Sequence, residues 1–567
     1  MSSRLGPDER SAALDRMALR EHDVVVVGGG VVGTGAALDA VTRGLSTVLL
    51  EARDWASGTS SRSSKLIHGG LRYLEMLDFR LVREALQERG LLIGTLAPHL
   101  VKPAPFLYPL THRGWERPYV GTGLLLYDVL ARRAGPGRLP HHRHLSRRRA
   151  LQVAPALRPD GLVGAVQYYD AQVDDARLVV ALARTAAHHG ALAANRARVV
   201  GFTRDGERVT GVQVEDLESG RTLVVRAKQV VNATGVWTDE TQTMVGEGGG
   251  FRVRASKGIH LVVPRDRIPA STGLILRTDT SVLFVIPWGR NWIIGTTDTD
   301  WQLDKAHPAA SRRDIDYLLG QLNRALVAPL TTDDVVGVYA GLRPLLAGES
   351  EPTSRLSREH VVASPAPGLV VVAGGKYTTY RVMARDAVDA VARGLGGRVP
   401  PSRTAALPLV GAEGFESRWD ARAELAAAAG LDPARMEHLI NRQGAMVDDV
   451  LALIVARPDL GASLDGASDY LRAEVVYAAA AEGARHLDDI LTRRTRISIE
   501  TPDRGVRVAA EAAELMGGVL AWSPDQVQRE VAHYVARVDA ERESQRMPDD
   551  ETADAARLGA PEIVPLR

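Results

Sequence analysis

The chain has 567 residues, which is too long for a single hydrophobic core, so two or three domains are expected. Its 70 basic and 69 acidic residues leave a formal net charge of +1, so it has no long-range attraction for nucleic acid and no nucleic-acid partner is expected. The absence of cysteine excludes disulfides and thiolate metal ligands, and no metal site is predicted.

The beginning of the chain predicts a polar arm over residues 1–20. This segment contains acidic residues and has no apolar core, unlike a signal peptide. The longest uncharged stretch, 24–38, is shorter than the ~20 residues that a membrane-spanning helix needs and is interrupted by glycines. The sequence therefore predicts a cytoplasmic protein and leaves attachment to a membrane surface open.

Residues 23–51 have the pattern of a dinucleotide-binding βαβ unit. Four consecutive valines near its start predict a strand that is buried on both faces. The glycines that follow fit G-x-G-x-x-G, in which Gly28 permits a tight turn, Gly30 the approach of a pyrophosphate, and Gly33 close packing of the next helix. A second short strand ends at Glu51, where a carboxylate can bind ribose hydroxyls. FAD and NAD both satisfy this pattern, and a glycine-rich turn without a ligand is the alternative.

Three other segments are predicted to meet the same cofactor. The loop after Glu51 is dense in serine, threonine and glycine and offers a nest of donors for phosphate and flavin. Two further buried strands end in small residues, as expected where the second half of a dinucleotide-binding sheet faces the ligand. The cofactor-binding residues predicted in these segments are Ser63, Ser64, Lys65, Thr234, Gly235, Gly374, Gly375 and Lys376.

The middle of the chain changes character twice. Residues 138–149 form its most basic stretch, which predicts a solvated loop, with contact to anionic lipid head groups as the alternative. Residues 252–300 alternate apolar and polar positions and carry a hairpin signal at Gly289-Arg290, so they predict an antiparallel sheet. A parallel nucleotide-binding sheet interrupted by an antiparallel one implies a discontinuous cofactor domain and a separate substrate domain.

Beyond residue 400 the chain is rich in alanine and predicts helices. Four to six of them fit between 411 and 541, enough for a domain of their own. One begins after Ser523, where a capping residue is followed by proline and a capping-box glutamine, and another is predicted to begin at Thr501. The polar segment 542–567 predicts a loose tail.

The predicted domains follow from these changes. They are a polar arm (1–20), a discontinuous cofactor-binding domain (21–95, 165–250 and 350–395), a substrate domain (96–164 and 251–349), a helical C-terminal domain (411–541) and a loose tail (542–567).

Six motifs occur in the order and spacing of one known family. They are SSKLIHGGLRYLE (63–75), NATGVWTD (232–239), KGIHLVVP (257–264), VIPW followed by IIGTTD (285–298), GLRPL (341–345) and GGKYTTYR (374–381). The series resembles that of the FAD-dependent glycerol-3-phosphate dehydrogenases, and RHLDDILTRRTRIS (485–498) resembles their helical cap domain. The resemblance covers about Asp23 to Tyr534.

This resemblance implies an α/β flavoprotein fold like that of glutathione reductase and the amino-acid oxidases, with an antiparallel-sheet substrate domain and an all-α C-terminal domain. It also implies non-covalent FAD and oxidation of sn-glycerol 3-phosphate to dihydroxyacetone phosphate, with electrons passing to a membrane quinone. We therefore expect peripheral association with the anionic inner face of the cell membrane. A homo-oligomer is also expected.

The same motifs indicate which residues perform the reaction. Arg72 and Arg343 are candidates for holding the phosphate, because a guanidinium can grip two oxygens at once. Lys376 is a third cationic candidate, since the chain has only six lysines and three of them lie in the motifs. Arg343 and Lys376 would also stabilise the developing alkoxide. Any of these cations could instead form a structural ion pair.

The hydroxyl at C2 needs a base, and histidine titrates in the useful range. His260 is the first candidate, because its position in KGIHLVVP places it on the opposite face of a strand from Ile259, Leu261 and Val263. The second is His68. Hydroxyl groups that could orient the substrate are those of Tyr73, Thr378 and Tyr380, for which packing is the alternative.

Three other functions remain open. A glycerol-3-phosphate oxidase performs the same half-reaction with oxygen as the acceptor. An oxidase of amines or amino acids would need a carboxylate-binding arginine and a hydrophobic site, which the motif series does not favour. A non-catalytic flavin-binding adaptor would act through the helical C-terminal domain.

Overall fold

A computed structural model of the chain describes residues 2–70, 78–132, 139–246, 252–278, 281–346 and 359–564. Two sheets and a mainly helical C-terminal region account for most of these residues. The strands, in chain order, are β1 (His22–Val27), β2 (Thr47–Leu50), β3 (Leu66–Ile67), β4 (Val101–Leu110), β5 (Arg143–Ser146), β6 (Gly164–Val173), β7 (Leu192–Ala194), β8 (Ala197–Asp205), β9 (Arg208–Asp216), β10 (Thr222–Asn232), β11 (Val253–Pro264), β12 (Gly273–Arg277), β13 (Val282–Trp288), β14 (Asn291–Gly295), β15 (Thr299–Trp301), β16 (Gly337–Leu346), β17 (His360–Ala366), β18 (Leu369–Gly374), β19 (Ser463–Leu464) and β20 (Ala467–Leu471).

The α-helices of the described ranges separate and cover these strands. They are α1 (Pro7–Leu19), α2 (Val31–Thr42), α3 (Phe79–Leu91), α4 (Glu116–Arg132), α5 (Arg147–Val153), α6 (Asp175–His188), α7 (Thr238–Thr243), α8 (Arg312–Asn323), α9 (Tyr380–Leu395), α10 (Phe415–Asp420), α11 (Arg422–Ala429), α12 (Pro433–Gln443), α13 (Val447–Ala456), α14 (Arg472–Ala481), α15 (Leu487–Asp489), α16 (Ile497–Glu500), α17 (Ala509–Leu520), α18 (Pro524–Ser544) and α19 (Asp550–Leu558).

The first sheet is the nucleotide-binding sheet that the valine run predicts. Its order is β17-β18-β10-β1-β2-β7, and β1 pairs in parallel with both β2 and β10. The side chains of β1 are buried on both faces, as an inner strand covered by helices requires. Strand β10 runs unbroken from Thr222 to Asn232 and pairs with β9 at its start and with the parallel strands β1 and β18 at its end.

The second sheet is largely antiparallel and has the order β15-β11-β14-β13-β12-β4-β6-β3. Strand β16 pairs with β11 over ten residues, and β5 pairs with β6. The predicted hairpin at Gly289-Arg290 joins β13 to β14. Strand β6 pairs with β3, β4 and β5, so residues 164–173 belong to this second sheet. The predicted domain boundary, which places residues 165–250 in the cofactor-binding domain, is wrong for this strand.

The predicted arm at residues 1–20 is a packed helix. Helix α1 buries Ala13, Leu14 and Met17 against the outer strands of the first sheet, and the guanidinium of Arg10 forms a buried ion pair with Asp216. The segment looks polar in sequence because only one side of this helix is apolar.

The basic stretch is also ordered in its described part. Most of its described residues are exposed, as predicted, but the predicted loop is wrong from Arg143 onward, since β5 and the start of α5 occupy these residues.

The C-terminal region is mainly helical, as predicted, and also contains the short β19–β20 hairpin. The helix expected to begin at Thr501 begins at Ala509 instead. The prediction of a loose tail is wrong: α18 continues to Ser544, and α19 follows and buries Ala553 and Arg557.

A buried carboxylate joins this region to the first sheet. Asp54 lies in the loop after β2 and is fully buried. It accepts hydrogen bonds from Arg493 at 2.6 Å and from both terminal nitrogens of Arg494 at 2.7 Å. These arginines hold the C-terminal helices against the loop that follows Glu51.

No helix of the described ranges combines the length and apolarity required to cross a bilayer.

Candidate active site

A cavity of about 570 Å³ lies where the two sheets meet. On one side it is lined by residues at the C-terminal ends of β1, β10 and β18, which is where ligands bind in open parallel sheets. On the other side it is lined by Gly258 and His260 of β11 and by residues 341–345 of β16. A ligand in this cavity would therefore contact the nucleotide-binding sheet and the antiparallel sheet together.

The first glycine segment forms a turn that side chains would block. Gly28 has φ +114°, and a Cβ at Gly33 would lie 1.9 Å from the carbonyl oxygen of Gly28. Gly33 does not line the cavity, so its role is the close approach of α2 to β1. Gly30 lines the cavity and immediately precedes α2, so the N-terminus of this helix faces the cavity.

Glu51 lines the cavity beside this turn. Its carboxylate accepts hydrogen bonds from the N–H of Gly29 at 2.6 Å and from the N–H of Arg53 at 2.7 Å. Burial raises the pKa of this carboxyl group. Because a carboxylate offers about four acceptor sites, it retains acceptor capacity for the predicted ribose hydroxyls.

The remaining predicted cofactor residues mostly line the same cavity. Ser63, Ser64, Thr234, Gly235, Gly374, Gly375 and Lys376 are among its lining residues. Gly235, Gly374 and Gly375 all have φ between +62° and +78°, which favours glycine over residues with a Cβ. The turn geometry, the helix terminus and the cavity's size fit an extended dinucleotide such as FAD.

One side of the cavity is built from alternate residues of two paired strands. Ser256, Gly258 and His260 share one face of β11, because side chains alternate along a strand. Ile259, Leu261 and Val263 lie in the hydrophobic core on the other face, as the sequence predicts. Their partners on β16 are Arg343 opposite Ser256, Gly341 opposite Gly258 and Tyr339 opposite His260.

His260 is held tightly within this face. Its ring stacks on Tyr339 with centroids 4.7 Å apart, and its Nε2 lies 2.8 Å from the hydroxyl of Ser64. A Cβ at Gly295, its neighbour on β14, would lie 2.2 Å from the ring. Burial and then the charges of Arg343 and Lys65 lower the pKa of His260 well below its ordinary value. The imidazole is therefore neutral at neutral pH.

Arg343 lies four positions along β16 from the residue that stacks on His260. Its Nη2 donates to the Thr296 hydroxyl at 2.9 Å and to the Thr297 carbonyl at 3.1 Å, while Nη1 is 3.6 Å from Asp298. A Cβ at Gly258 would lie 2.4 Å from Nη2. The glycine therefore leaves the space in which the guanidinium is fixed.

Lys376, Thr378 and His68 complete the predicted set within the cavity lining. The hydroxyl of Thr378 accepts a hydrogen bond from the N–H of His68 at 3.2 Å. This contact joins the turn before α9 to the loop after β3. Arg343, His260 and Lys376, which are far apart in sequence, thus line one cavity.

Two predicted site residues lie elsewhere. Lys65 is fully buried and does not line the cavity. Its Nζ donates to Asp175 at 2.8 Å and to the Ser61 carbonyl at 3.1 Å, so it stabilises the loop that carries the lining residues. Tyr380 packs in the core between α9 and α2, against Gly35. Arg72 and Tyr73 lie outside the described residues.

The rarity of lysine did not identify site residues reliably. The motif lysine Lys257 is buried on the far face of β11, where its Nζ is 2.6 Å from Asp314 and 2.5 Å from Asp550. Of the three motif lysines, Lys376 alone lines the cavity.

Sequence reasoning missed several lining residues. Arg53 and Arg62 lie in the polar loop that was recognised as a donor-rich segment, and Trp237 lies in the NATGVWTD motif. The guanidinium of Arg53 is 5.2 Å from the centre of the Trp237 ring, so these two residues form one wall of the cavity. The available signals were the polar composition of the loop for the two arginines and the motif for Trp237.

The chain matches two family models. Residues 23–390 match the family described as FAD dependent oxidoreductase, and residues 402–527 match the C-terminal domain of alpha-glycerophosphate oxidase. Glycerol-3-phosphate dehydrogenase 2 of Mycobacterium tuberculosis is 57% identical over 558 residues, covering 98% of this chain and 95% of that protein. The chain belongs to the glycerol-3-phosphate dehydrogenase family of FAD-dependent oxidoreductases.

More distant members of this dehydrogenase family also match. The mitochondrial glycerol-3-phosphate dehydrogenase of Homo sapiens is 38% identical, covering 91% of this chain and 73% of that protein. The structure of the glycerol-3-phosphate dehydrogenase from Bacillus halodurans complexed with FAD superposes with a TM-score of 0.78 at 30% identity, covering 95% of this chain and 98% of that one. The predicted family, fold class and FAD cofactor are confirmed.

Proposed function

We propose that the chain oxidises sn-glycerol 3-phosphate to dihydroxyacetone phosphate and that the electrons pass from FAD to a membrane quinone. The observation that carries this proposal is that the dinucleotide cradle and the side chains of His260, Arg343 and Lys376 line a single cavity. The substrate is suggested by the names of the relatives at 57% and 30% identity.

Arg343 and Lys376 are the cations that would hold the anionic substrate. A guanidinium whose Nη2 is fixed by Thr296 and Thr297 loses little further freedom when it binds an oxyanion. Lys376 lies beside the glycines that end β18 and would add a compact positive charge near the reacting alcohol. The role of Arg72 stays a prediction from sequence.

His260 is the base in this proposal. As the C2–H bond breaks, the proton of the C2 hydroxyl passes to the imidazole and the C2–O bond becomes the carbonyl of the product. The lowered pKa of His260 keeps the ring unprotonated before the reaction, and Arg343 and Lys376 stabilise negative charge on the oxygen. The chemistry that FAD would supply, when bound, is that of a hydride acceptor, from which the electrons would pass to the quinone.

The surface of α4 supports peripheral membrane association. Its inner side buries Leu124 and Tyr127, and the hydroxyl of Tyr127 donates to Asp170 at 2.8 Å. The outer side carries a stripe of large apolar side chains, 37% to 57% exposed, at helical spacing. This α4 stripe consists of Trp115, just before the helix, together with Tyr119, Leu125, Leu126 and Val129.

Basic residues flank this stripe. Strand β5 packs against α4, because Arg117 donates to the carbonyl of Leu145 at 3.1 Å and Gly121 approaches His144. The exposed arginines Arg143, Arg147, Arg148 and Arg149 lie in β5 and α5. An apolar helix face beside arginines has the composition of a surface that lies on anionic lipid. Location at the inner membrane face and homo-oligomerisation remain predictions.

Anaerobic titration of the purified holoenzyme tests the reaction. Glycerol 3-phosphate should bleach the flavin absorbance, whereas glycerol, which lacks the phosphate, should leave it unchanged at the same concentration. Failure of glycerol 3-phosphate to bleach the flavin would reject the proposal and favour a non-catalytic flavin-binding adaptor.

The electron acceptor needs a separate measurement, because the C-terminal region matches a domain described from alpha-glycerophosphate oxidase. With a soluble quinone and air both present, the proposal expects quinone reduction and little hydrogen peroxide. Peroxide formed in equal amount to dihydroxyacetone phosphate would identify an oxidase.

A further inference from the structure

A second cavity, of about 90 Å³, lies behind the active-site loop, between β16 and the last helices of the chain. We call it the arginine cavity and define it by Arg62, His307, Arg537 and Arg557. Arg62 also lines the active-site cavity, so the two share a wall. The other three residues, His307, Arg537 and Arg557, do not line the active-site cavity.

The charges in this cavity do not balance locally. Arg537 pairs with Asp488 at 2.8 Å, and Arg557 reaches Glu541 only at 3.4 Å. Arg62 donates to the carbonyl of Ala306 at 2.9 Å and has no carboxylate within ion-pairing distance among the described residues. Three guanidinium groups therefore face two carboxylates. Of the other arginines of the lining, Arg493 pairs with Asp54 and also shares Asp488 at 3.0 Å, and Arg496 pairs with Asp174 and Asp175.

His307 does not relieve this excess. Its Nδ1 lies 3.2 Å from Nη2 of Arg537 and 3.5 Å from Nη2 of Arg557, and its Nε2 lies 3.2 Å from Glu562. Burial and then the charge of Arg537 lower the pKa of His307 well below its ordinary value. The ring is therefore neutral, with Nδ1 accepting from the arginines and Nε2 donating to Glu562.

Two of the arginines retain unused donors. Nη1 of Arg557 and Nε of Arg537 are buried and have no hydrogen-bond partner among the described residues, although the two side chains are only 3% and 8% exposed. Burial and then the neighbouring arginines lower the pKa of Arg62 and of Arg557 to about 10. A buried guanidinium that repels its neighbours and lacks acceptors is unfavourable unless an anion offsets it.

The size and donor set define the anion. The volume equals roughly three water molecules at about 30 Å³ each, which suits one tetrahedral oxyanion and is too small for a nucleotide. Guanidinium groups bind phosphate oxygens with paired N–H donors. We propose that the arginine cavity is a second anion site, for inorganic phosphate, separate from the position of the substrate's phosphate group. Through Arg62, its occupancy adjusts the charge at the edge of the active-site cavity.

Calorimetric titration of the FAD-loaded full chain with inorganic phosphate at constant ionic strength tests this inference. The wild type should show a site that persists in Arg343→Gln, a variant altered only in the active-site cavity. In Arg557→Gln the affinity of that persisting site should fall at least tenfold. Arg546→Gln, which removes the same charge from an exposed position near the end of α18, should leave it unchanged.

A second variant guards against a folding defect. Arg62→Gln removes a half-buried arginine whose one side-chain hydrogen bond is to a carbonyl, and it should weaken the same site while the far-ultraviolet circular dichroism spectrum stays that of the wild type. Unchanged phosphate affinity in both Arg557→Gln and Arg62→Gln, or loss of all phosphate binding in Arg343→Gln, would overturn the inference. Because the readout is binding, it does not depend on whether glycerol 3-phosphate is the substrate.

Discussion

The ring of His260 has one accessible orientation. Tyr339 covers one of its faces, Ser64 binds its Nε2, and the absence of a side chain at Gly295 leaves the space that the ring occupies. A base fixed in this way loses little entropy when a substrate hydroxyl approaches, which is a requirement for efficient proton transfer.

His260→Gln should therefore lower the rate of anaerobic flavin reduction by about 10²- to 10⁴-fold, the usual contribution of a positioned general base. Substrate affinity should change much less, because the imidazole is neutral before reaction. Stopped-flow measurement of the flavin absorbance at saturating substrate gives the rate. Ser64→Ala keeps the base and loses its hydrogen bond, so it should show a smaller decrease. Equal rates in His260→Gln and wild type would assign the base elsewhere.

Arg343→Ala should raise KM by about 10²-fold or more, since charge-assisted hydrogen bonds contribute roughly 1.5–3 kcal/mol each and an arginine can make two. Added inorganic phosphate should not restore the affinity, because the missing group belongs to the enzyme. Arg343→Lys should recover part of the loss, since it retains the charge and loses the fork. Arg290→Ala, at an exposed position in the hairpin between β13 and β14, is the matched control. Unchanged KM in Arg343→Ala would remove this residue from the substrate site.

Among secondary-structure elements, α4 is unusual because both of its sides carry large hydrophobic residues. The buried side is fixed to the antiparallel sheet by Tyr127, so the exposed α4 stripe cannot turn inward. The stripe is consistent with a helix that lies flat in the interface of a membrane.

The double variant Leu125→Glu/Leu126→Glu should reduce binding to vesicles made of phosphatidylglycerol and phosphatidylcholine. It removes two apolar contacts and adds two charges that anionic lipid repels. Co-flotation of the holoenzyme with the vesicles measures the bound fraction. Val224→Glu changes an equally exposed residue on β10 and should bind like the wild type. Equal flotation of the double variant and the wild type would exclude the α4 stripe as the membrane-binding surface.

The sequence predicted best those elements that are determined by residues close together in the chain. The buried strand formed by the valine run and the antiparallel character of 252–300 follow from periodicity and turn residues, and His260 could be placed on the correct face of β11 by alternation alone. The roles of Lys65 and Lys257 could not be predicted, because their carboxylate partners lie at least 57 residues away in sequence. The helical tail was missed because its apolar contacts are few and its other contacts are ionic.

At the scale of the whole molecule, buried ion pairs connect regions that are distant in sequence. His486, at the start of α15, lies 3.0 Å from Glu218 in the turn between β9 and β10 and 2.7 Å from Glu530 on α18. Burial and Arg196 lower the pKa of His486, but its bonds to Glu218 and Glu530 outweigh them and raise the pKa to about 9. The folded state therefore binds a proton here more tightly than the unfolded chain.

This linkage predicts a pH-dependent stability. The contribution of His486 is fully present below pH 6.5 and is lost as the pH rises through about 9, since the folded state must then release the proton. A raised pKa of this size corresponds to roughly 3 kcal/mol at most. Thermal unfolding of the holoenzyme between pH 6.5 and 9.5 should show a falling midpoint, and His486→Gln should flatten the decline. His188→Gln, at an exposed position, should keep the wild-type slope. An identical slope in His486→Gln would show that other groups are responsible.

The active-site cavity collects its lining from Val27 to Met383, which has a consequence for synthesis on the ribosome. A nascent chain carries the glycine turn early, yet the strand that closes the sheet beside it, β18, emerges only after two thirds of translation. A chain that ends before β18 lacks part of the cavity lining, so we expect it not to retain the cofactor. The supply of flavin should therefore limit how much of the full-length chain becomes FAD-bound enzyme. Chains truncated before residue 369 should be purified without flavin absorbance.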